Sequence, residues 1–367
     1  MPQPFPNLPP YLRGRVVCLD HASRVLADNP WGDPAHRDLH VLLPPGYDVD
    51  DRRYPAVLLL PGYAGTGEGM LSRGLTDISI ASRIDRLIHG IPPDAPAVGP
   101  GAFDDAGRID PTRGCPPFIA VLPDCMTRLG GSQFVDSPAM GAYATWLVDE
   151  IMPFVDGRFR TTGRWGVAGR SSGGFGALHL AMTRPGRFSA VVSHAGDMGF
   201  DLIWLGDLPR AVAGVQAAGG LGPFMDNCWR PQRWSPEHFS ALMIIAMSCC
   251  FSPDMDADGP VPARLPVDFE TGAVDFEVFE LWKRFDPLER VHDPAAQDAL
   301  RQLDLLFIDA GDRDEYLLHL GARRLSAALS DADIPHIHEE FPGGHRGTAW
   351  RWDRSLPLLA EALSRQA

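Results

Sequence analysis

Lysine is almost absent from this chain: Lys283 is the only one among 33 basic residues. So broad a preference for arginine reflects genomic base composition, and no arginine site is inferred from it. Positive charge as a whole is also in deficit. Against those 33 basic residues stand 47 Asp and Glu, a formal net charge of −14. Phosphate backbones and anionic membrane surfaces are repelled by such a chain, so neither nucleic acid nor a membrane is an expected partner. No stretch approaches ~18 consecutive apolar residues, the length that reads as a membrane-spanning helix. The first residues, MPQPFPNLPPYLRGR, carry prolines where a secretory leader has a basic start and an apolar run. A soluble, cytoplasmic protein is therefore expected. Cysteine is sparse. The six, at positions 18, 115, 125, 228, 249 and 250, are irregularly spaced and form no CxxC pair. They predict reduced, mostly buried thiols rather than a disulfide framework or a metal clip.

What is present is ample material for a core, with 45% hydrophobic residues over 367 positions. Short apolar runs rich in Val, Leu and Ile recur between Pro, Gly and Asp: VVCL, DLHVLLP, YPAVLLLPG, PPFIAVLPD, RWGVAG, FSAVVSHAG and LDLLFIDAG. They read as buried strands. Helical periodicity falls between several of them, over residues 138–156, 174–184, 316–331 and 354–365. Strand alternating with helix predicts an α/β fold with a mostly parallel central sheet and helices on both faces. Residues 198–285 break the rhythm with scattered tryptophans and the apolar segment ALMIIAMSCC. They are expected to form an inserted cap within a single domain spanning 1–367.

The segment RWGVAGRSSGGFGALHLAM sets Gly169-Arg170-Ser171-Ser172-Gly173 between an apolar strand and an apolar helix. That is the context of a GxSxG nucleophile elbow, in which glycines flank a serine on a sharp strand-to-helix turn. Ser171 is the expected nucleophile. The helix that follows aims its first amides at the reacting centre, which makes the Ser172 N–H one oxyanion donor. Gly62 lets the chain turn after the strand YPAVLLL, and the Tyr63 amide is the expected second donor.

The partners of such a serine lie downstream, each after a later strand, in the order acid then histidine. Strand-like HIHEEF is followed by a Gly-Gly turn and His345, the expected general base. His194, His292, His319, His336 and His338 are read as structural. After LDLLFIDAG come Asp312, Asp314 and Glu315; Asp314 is taken as the acid, Asp312 stays open, and Asp309 within the strand is assigned a bracing role.

Several signals are weaker. Arg170 and Asp197 should lie near the carboxyl edge of the sheet, where substrate contact and a supporting salt bridge are equal readings. Trp204, Trp229, Trp234 and Trp282 fall within the insertion. Packing accounts for them first, with Trp204 and Trp234 kept as pocket candidates. Asp254-Met255-Asp256-Ala257-Asp258-Gly259 begins like a calcium loop, but its twelfth position is Leu265 and prolines stand at 260 and 262. A solvated acidic turn, not a metal site, is expected.

Taken together, VLLPPGYDVDDRRYPAVLLLPGYAG, then PD and GGSQFVDSPAMGAY, GRSSGGFGAL, DAGDRDEYLLHLGARRL and FPGGHRGTAW resemble one esterase family of α/β-hydrolases, over roughly residues 36 to 350. That family includes esterase D (S-formylglutathione hydrolase), feruloyl esterases, enterochelin-type esterases and the mycolyltransferases. The resemblance implies an α/β-hydrolase fold and the same assignment of Ser171, Asp314 and His345, with Tyr63 and Ser172 as oxyanion amides. Two features depart from it: Ser172 stands where the family often has methionine, and the 198–285 insertion exceeds that of compact members.

The expected activity is hydrolysis of a small or medium carboxylic ester through an acyl-enzyme, with no cofactor and a rate that rises as His345 loses its proton. An acyltransferase using the same acyl-enzyme, and a non-catalytic binding protein on the same fold, are the alternatives. A homo-oligomer is left open.

Overall fold

The structure is a computed structural model that describes residues 8, 10–74, 77–91, 114–230 and 234–365. Eight strands form one sheet. In chain order these are β1 (Arg15–Ala22), β2 (His36–Leu43), β3 (Tyr54–Leu60), β4 (Ile119–Pro123), β7 (Thr161–Arg170), β8 (Ala190–His194), β9 (Leu305–Gly311) and β10 (Ile337–Phe341). Two-residue strands β5 (Asp136–Ser137) and β6 (Gly141–Ala142) pair as a small separate hairpin. The order across the large sheet is β1-β2-β4-β3-β7-β8-β9-β10. β2 runs antiparallel to both β1 and β4, and every pairing from β4 to β10 is parallel. This is the α/β-hydrolase arrangement that the motifs implied.

The parallel strands are buried on both faces, which is why they read as continuous apolar runs rather than alternating ones. Along β3, Tyr54, Ala56, Leu58 and Leu60 join one core, while Val57 and Leu59 join the other. Helices α1 (Ile80–Ile88) and α12 (Trp352–Ser364) cover the second of these. Helices α4 (Ser172–Thr183) and α11 (Leu318–Asp331) pack on the first.

The long helix expected from residue 138 starts later. Pro138 and the left-handed Gly141 (φ 123°) shape the β5–β6 hairpin instead. The helix then runs from α2 (Tyr143–Thr145) through a π turn (Trp146–Ile151) into α3 (Met152–Asp156). Five of the six cysteines are buried, with Cys18 exposed on the edge strand β1. Burial pushes the Cys115 and Cys249 thiols up to about 12.

Residues 198–285 fold into α5 (Phe200–Ala217), α6 (Leu221–Asn227), α7 (Pro236–Phe251) and α8 (Phe276–Lys283), with α5 and α7 packed along one another. α7 begins sharply because Ser235 Oγ accepts the His238 N–H and Pro236 needs no acceptor at the first helical position. One buried carboxylate clamps the two ends of the segment: Asp286 accepts the N–H groups of Gly199 and Phe200 at 3.0 and 2.6 Å. Between α7 and α8, Asp254 Oδ1 is used within its own acidic turn, accepting the Asp256 N–H at 3.1 Å. The short helices α9 (Pro287–Arg290) and α10 (Pro294–Arg301) return the chain to β9. Among the described residues, no helix is long and apolar enough to cross a membrane.

Candidate active site

β7 ends at Arg170 and α4 begins at Ser172, leaving Ser171 alone at the junction with φ 56° and ψ −127°. A non-glycine residue in this region is strained, and such strain persists only where its surroundings enforce it. The enforcement is visible. Ser171 N–H donates to His194 O on neighbouring β8 at 2.9 Å, and Ser171 O accepts from Phe175 N–H at 3.0 Å. A Cβ on Gly173 would lie 2.1 Å from Leu60 O of β3, and one on Gly169 would lie 2.0 Å from Gly173 O. Both glycines are therefore required by close backbone approach.

The loops after β9 and β10 bring the expected partners to this serine. His345 Nε2 is 3.1 Å from Ser171 Oγ, and its Nδ1 is 2.8 Å from Asp314 Oδ2. A carboxylate only accepts, so Nδ1 carries the proton and Nε2 is free to accept from the serine hydroxyl. Asp314 is buried, and its Oδ1 accepts the Tyr316 N–H at 2.9 Å, which fixes the carboxylate plane. Asp312, the alternative acid, faces elsewhere and accepts the Gly343 N–H at 3.0 Å. The Tyr316 ring meets His345 edge to face.

His345 is held by its backbone at both ends. Glu315 Oε2 accepts its N–H at 2.6 Å, and Arg170 Nη2 donates to its carbonyl. The Glu315 carboxyl lies below its usual range because it accepts that amide. Sequence reasoning gave Glu315 no role. The one available signal was its position beside Asp314 together with the Gly343-Gly344 pair, since a Cβ on Gly344 would fall 2.7 Å from Glu315 Oε1. Among the described residues Arg170 has no salt-bridge partner; burial lowers its pKa, and it lines the cavity as well as bracing His345.

Tyr63 and Ser172, the expected oxyanion donors, line the same cavity as Ser171. Ser172 opens α4, so its N–H has no acceptor inside the helix. In the loop after β3, the amides of Ala64 and Gly65 are taken by Gly130 O and Gly62 O, whereas Tyr63 N–H has no backbone acceptor among the described residues. The Tyr63 phenol donates to Leu129 O at 2.6 Å and is thereby committed to holding the loop.

In front of Ser171 lies a cavity of about 240 Å³. Ile203 and Trp204 of α5 and Phe239 and Met243 of α7 supply its apolar wall, and Asp197, Arg170 and Arg346 its charged groups. A second cavity of about 480 Å³ shares Ile203, Tyr316 and Arg346 with it and is lined as well by Glu315 and Leu317. Of the pocket candidates, Arg170, Asp197 and Trp204 therefore meet at the site. Trp234 does not: it precedes the first turn of α7, is 39% exposed, and stacks obliquely on His238. Trp282 is core, and Trp229 lies against the Arg128 guanidinium.

Residues 132–357, more than half of the chain, match the family model described as "Esterase: Putative esterase". The chain belongs to this esterase family. Esterase Rv1288 of Mycobacterium tuberculosis is 25% identical to it over 321 residues, 84% of this chain and 52% of that protein. The chain thus spans about half the length of the curated relative it matches. Among solved structures, a ferulic acid esterase aligns with a TM-score of 0.58 at 19% identity, covering 96% of this chain and 100% of the other. An S-formylglutathione hydrolase from Agrobacterium tumefaciens gives 0.55 at 16% identity, with 98% and 99% covered. At these identities the likeness carries the fold; the esterase family's chemistry has to be argued from the site.

Proposed function

We propose that the protein is a serine carboxylic-ester hydrolase with Ser171 as nucleophile, His345 as general base and Asp314 as its orienting acid. The observation that carries this reading is the unbroken chain from Ser171 Oγ through His345 to Asp314, at 3.1 and 2.8 Å, on a serine held at positive φ. His345 takes the hydroxyl proton as Ser171 attacks the ester carbonyl. The Tyr63 and Ser172 amides stabilise the oxyanion, and the alcohol departs with the proton from His345. Water, activated by the same histidine, then releases the acid from the acyl-enzyme. Asp314 stabilises the imidazolium in both steps. Residues 198–285 act as a cap, and the apolar wall from α5 and α7 suits an acyl or alcohol group of small to medium size.

The test is hydrolysis of 4-nitrophenyl esters of graded acyl length and stoichiometric fluorophosphonate labelling, by wild type and Ser171→Ala. Turnover and labelling by the wild type, with loss of both in the variant, are expected. A folded wild type that shows neither refutes the reading. Product analysis with added alcohols separates hydrolysis from acyl transfer.

A further inference from the structure

Asp197, a charged group of the cavity, is not used by the chemistry above. Asp197 lies in the loop that follows β8, is 5% exposed, and lines the cavity in front of Ser171. Its protein hydrogen bonds both end on the same oxygen: Oδ2 accepts from Ser172 Oγ at 2.9 Å and from Gln133 Nε2 at 3.3 Å. Oδ1 has no hydrogen-bond partner among the described residues. Oδ1 is not enclosed by protein: in a residue otherwise buried and lining the cavity, it is the oxygen left open to a ligand or bound water. Burial pushes the Asp197 carboxyl up to about 6, the direction expected of a group whose anionic form is incompletely paired.

The surroundings restrict what can complete it. Arg170 and Arg346 line the same cavity, so a cationic ammonium group would enter against two guanidinium charges. A carboxylate would meet the charge of Asp197 itself. A neutral hydroxyl suits all three, because it donates to Oδ1 while its carbon skeleton packs on Ile203, Trp204 and Met243. Ser172 supports the same assignment. Its amide is the proposed oxyanion donor and its hydroxyl is bonded to Asp197, so a hydroxyl on Oδ1 would sit close to the scissile ester, not at the far end of a long chain.

We propose that Asp197, oriented by Ser172 and Gln133, is a specificity-determining residue that accepts a hydrogen bond from a substrate hydroxyl near the scissile ester, selecting hydroxylated esters over plain ones. The proposal rests on the serine-hydrolase reading of the same site. The hydroxyl can belong to the acyl or the alcohol portion, and two matched pairs separate these sources. The acyl pair is 4-nitrophenyl 3-hydroxybutyrate against 4-nitrophenyl butyrate. The alcohol pair is 2-hydroxyethyl butyrate against ethyl butyrate.

Wild type is expected to favour the hydroxylated member of one pair by roughly tenfold or more in kcat/KM, the range of a hydrogen bond to a charged acceptor. Asp197→Ala should bring that ratio close to one. The isosteric Asp197→Asn, which preserves shape if the alanine variant misfolds, should lower it. A structural role alone would change both members of a pair alike and leave the ratio untouched. Ratios near one for wild type in both pairs, or a ratio unmoved in the folded Asp197 variants, overturn the proposal. Fluorophosphonate labelling of Ser171 distinguishes the two levels: labelled enzyme without discrimination removes only the subsite, whereas unlabelled, inactive enzyme removes the hydrolase reading with it.

Discussion

Glu315 accepts the backbone N–H of His345 at 2.6 Å, one residue along from the Asp314 carboxylate that holds the same histidine's ring at 2.8 Å. Adjacent acids thus fix His345 twice, one through its main chain and one through its side chain. With Arg170 on the His345 carbonyl, rotation of this loop is opposed from both sides.

Removing the main-chain clamp should therefore impair the chemical step more than binding. Glu315→Ala is expected to lower kcat by roughly tenfold, with a smaller change in KM, because a base displaced by a fraction of an ångström loses its alignment with Ser171. Glu315→Gln, which keeps an acceptor oxygen, should recover much of the loss. Steady-state kinetics on a 4-nitrophenyl ester decides this; equal losses in both variants would show that the clamp acts through its charge instead.

Beneath Ser171 lies a second, buried chain of the same residue types. Asp309 accepts from His194 Nδ1 at 2.7 Å and from Arg351 Nε at 2.6 Å, and His194 Nε2 is 2.7 Å from Ser355 Oγ. Asp309 and Ser355 have no exposed surface, so this chain braces rather than reacts. Asp309→Ala leaves His194 Nδ1 without its buried acceptor and removes one of the two carboxylates paired with Arg351, the other being Glu339 at 2.5 Å, and should destabilise the protein by about 1–3 kcal/mol, read from urea unfolding. Because the His194 carbonyl holds the Ser171 amide, fluorophosphonate labelling should also slow in the variant. A shift under about 1 kcal/mol would contradict the bracing role.

The pH dependence of stability should carry the mark of Asp85. This carboxyl is 4% exposed on α1, accepts the Gly14 N–H at 2.9 Å, and is pushed up to about 6 by burial. A raised carboxyl pKa means that the folded state binds the proton more tightly than the unfolded chain. The stability it contributes is full below the unfolded value of about 4 and is lost as pH rises through about 6. Asp85→Asn removes that dependence. Measured by urea unfolding, the difference between variant and wild type should move in the variant's favour between about pH 4 and pH 6 and then level off. A difference that stays flat across that interval would mean the carboxyl is not shifted.

The elements that the sequence made legible are those encoded over short distances. Strands β3, β4, β7, β8 and β9 are buried on both faces, so each appears as an apolar run with Pro, Gly or Asp at its ends. The elbow depends on Gly169, Ser171 and Gly173, whose spacing reports a tight turn whatever lies beyond it. His345 and Asp314 were accessible because strand order restricts them to loops after β10 and β9. The start of the 143–156 helix was missed because Pro138 and Gly141 form a hairpin that helical periodicity does not register. Trp204 and Trp234 could not be told apart either: one lies within α5 and lines the cavity, while the other precedes α7 and packs against His238 away from it.

The sequence by itself determined the class of fold, the Gly169-Ser171-Gly173 elbow and the loops that carry Asp314 and His345, because each is written in contiguous residues or in the succession of elements. Only the tertiary structure decided which carboxylates do what. Asp286 closes the inserted segment, Glu315 holds the His345 amide, Asp309 braces the strand beneath the serine, and Asp197 lines the cavity with one oxygen unpaired. Each role is a contact between residues brought together by folding, and the distance across the fold, unlike the spacing along the chain, leaves no local pattern to read.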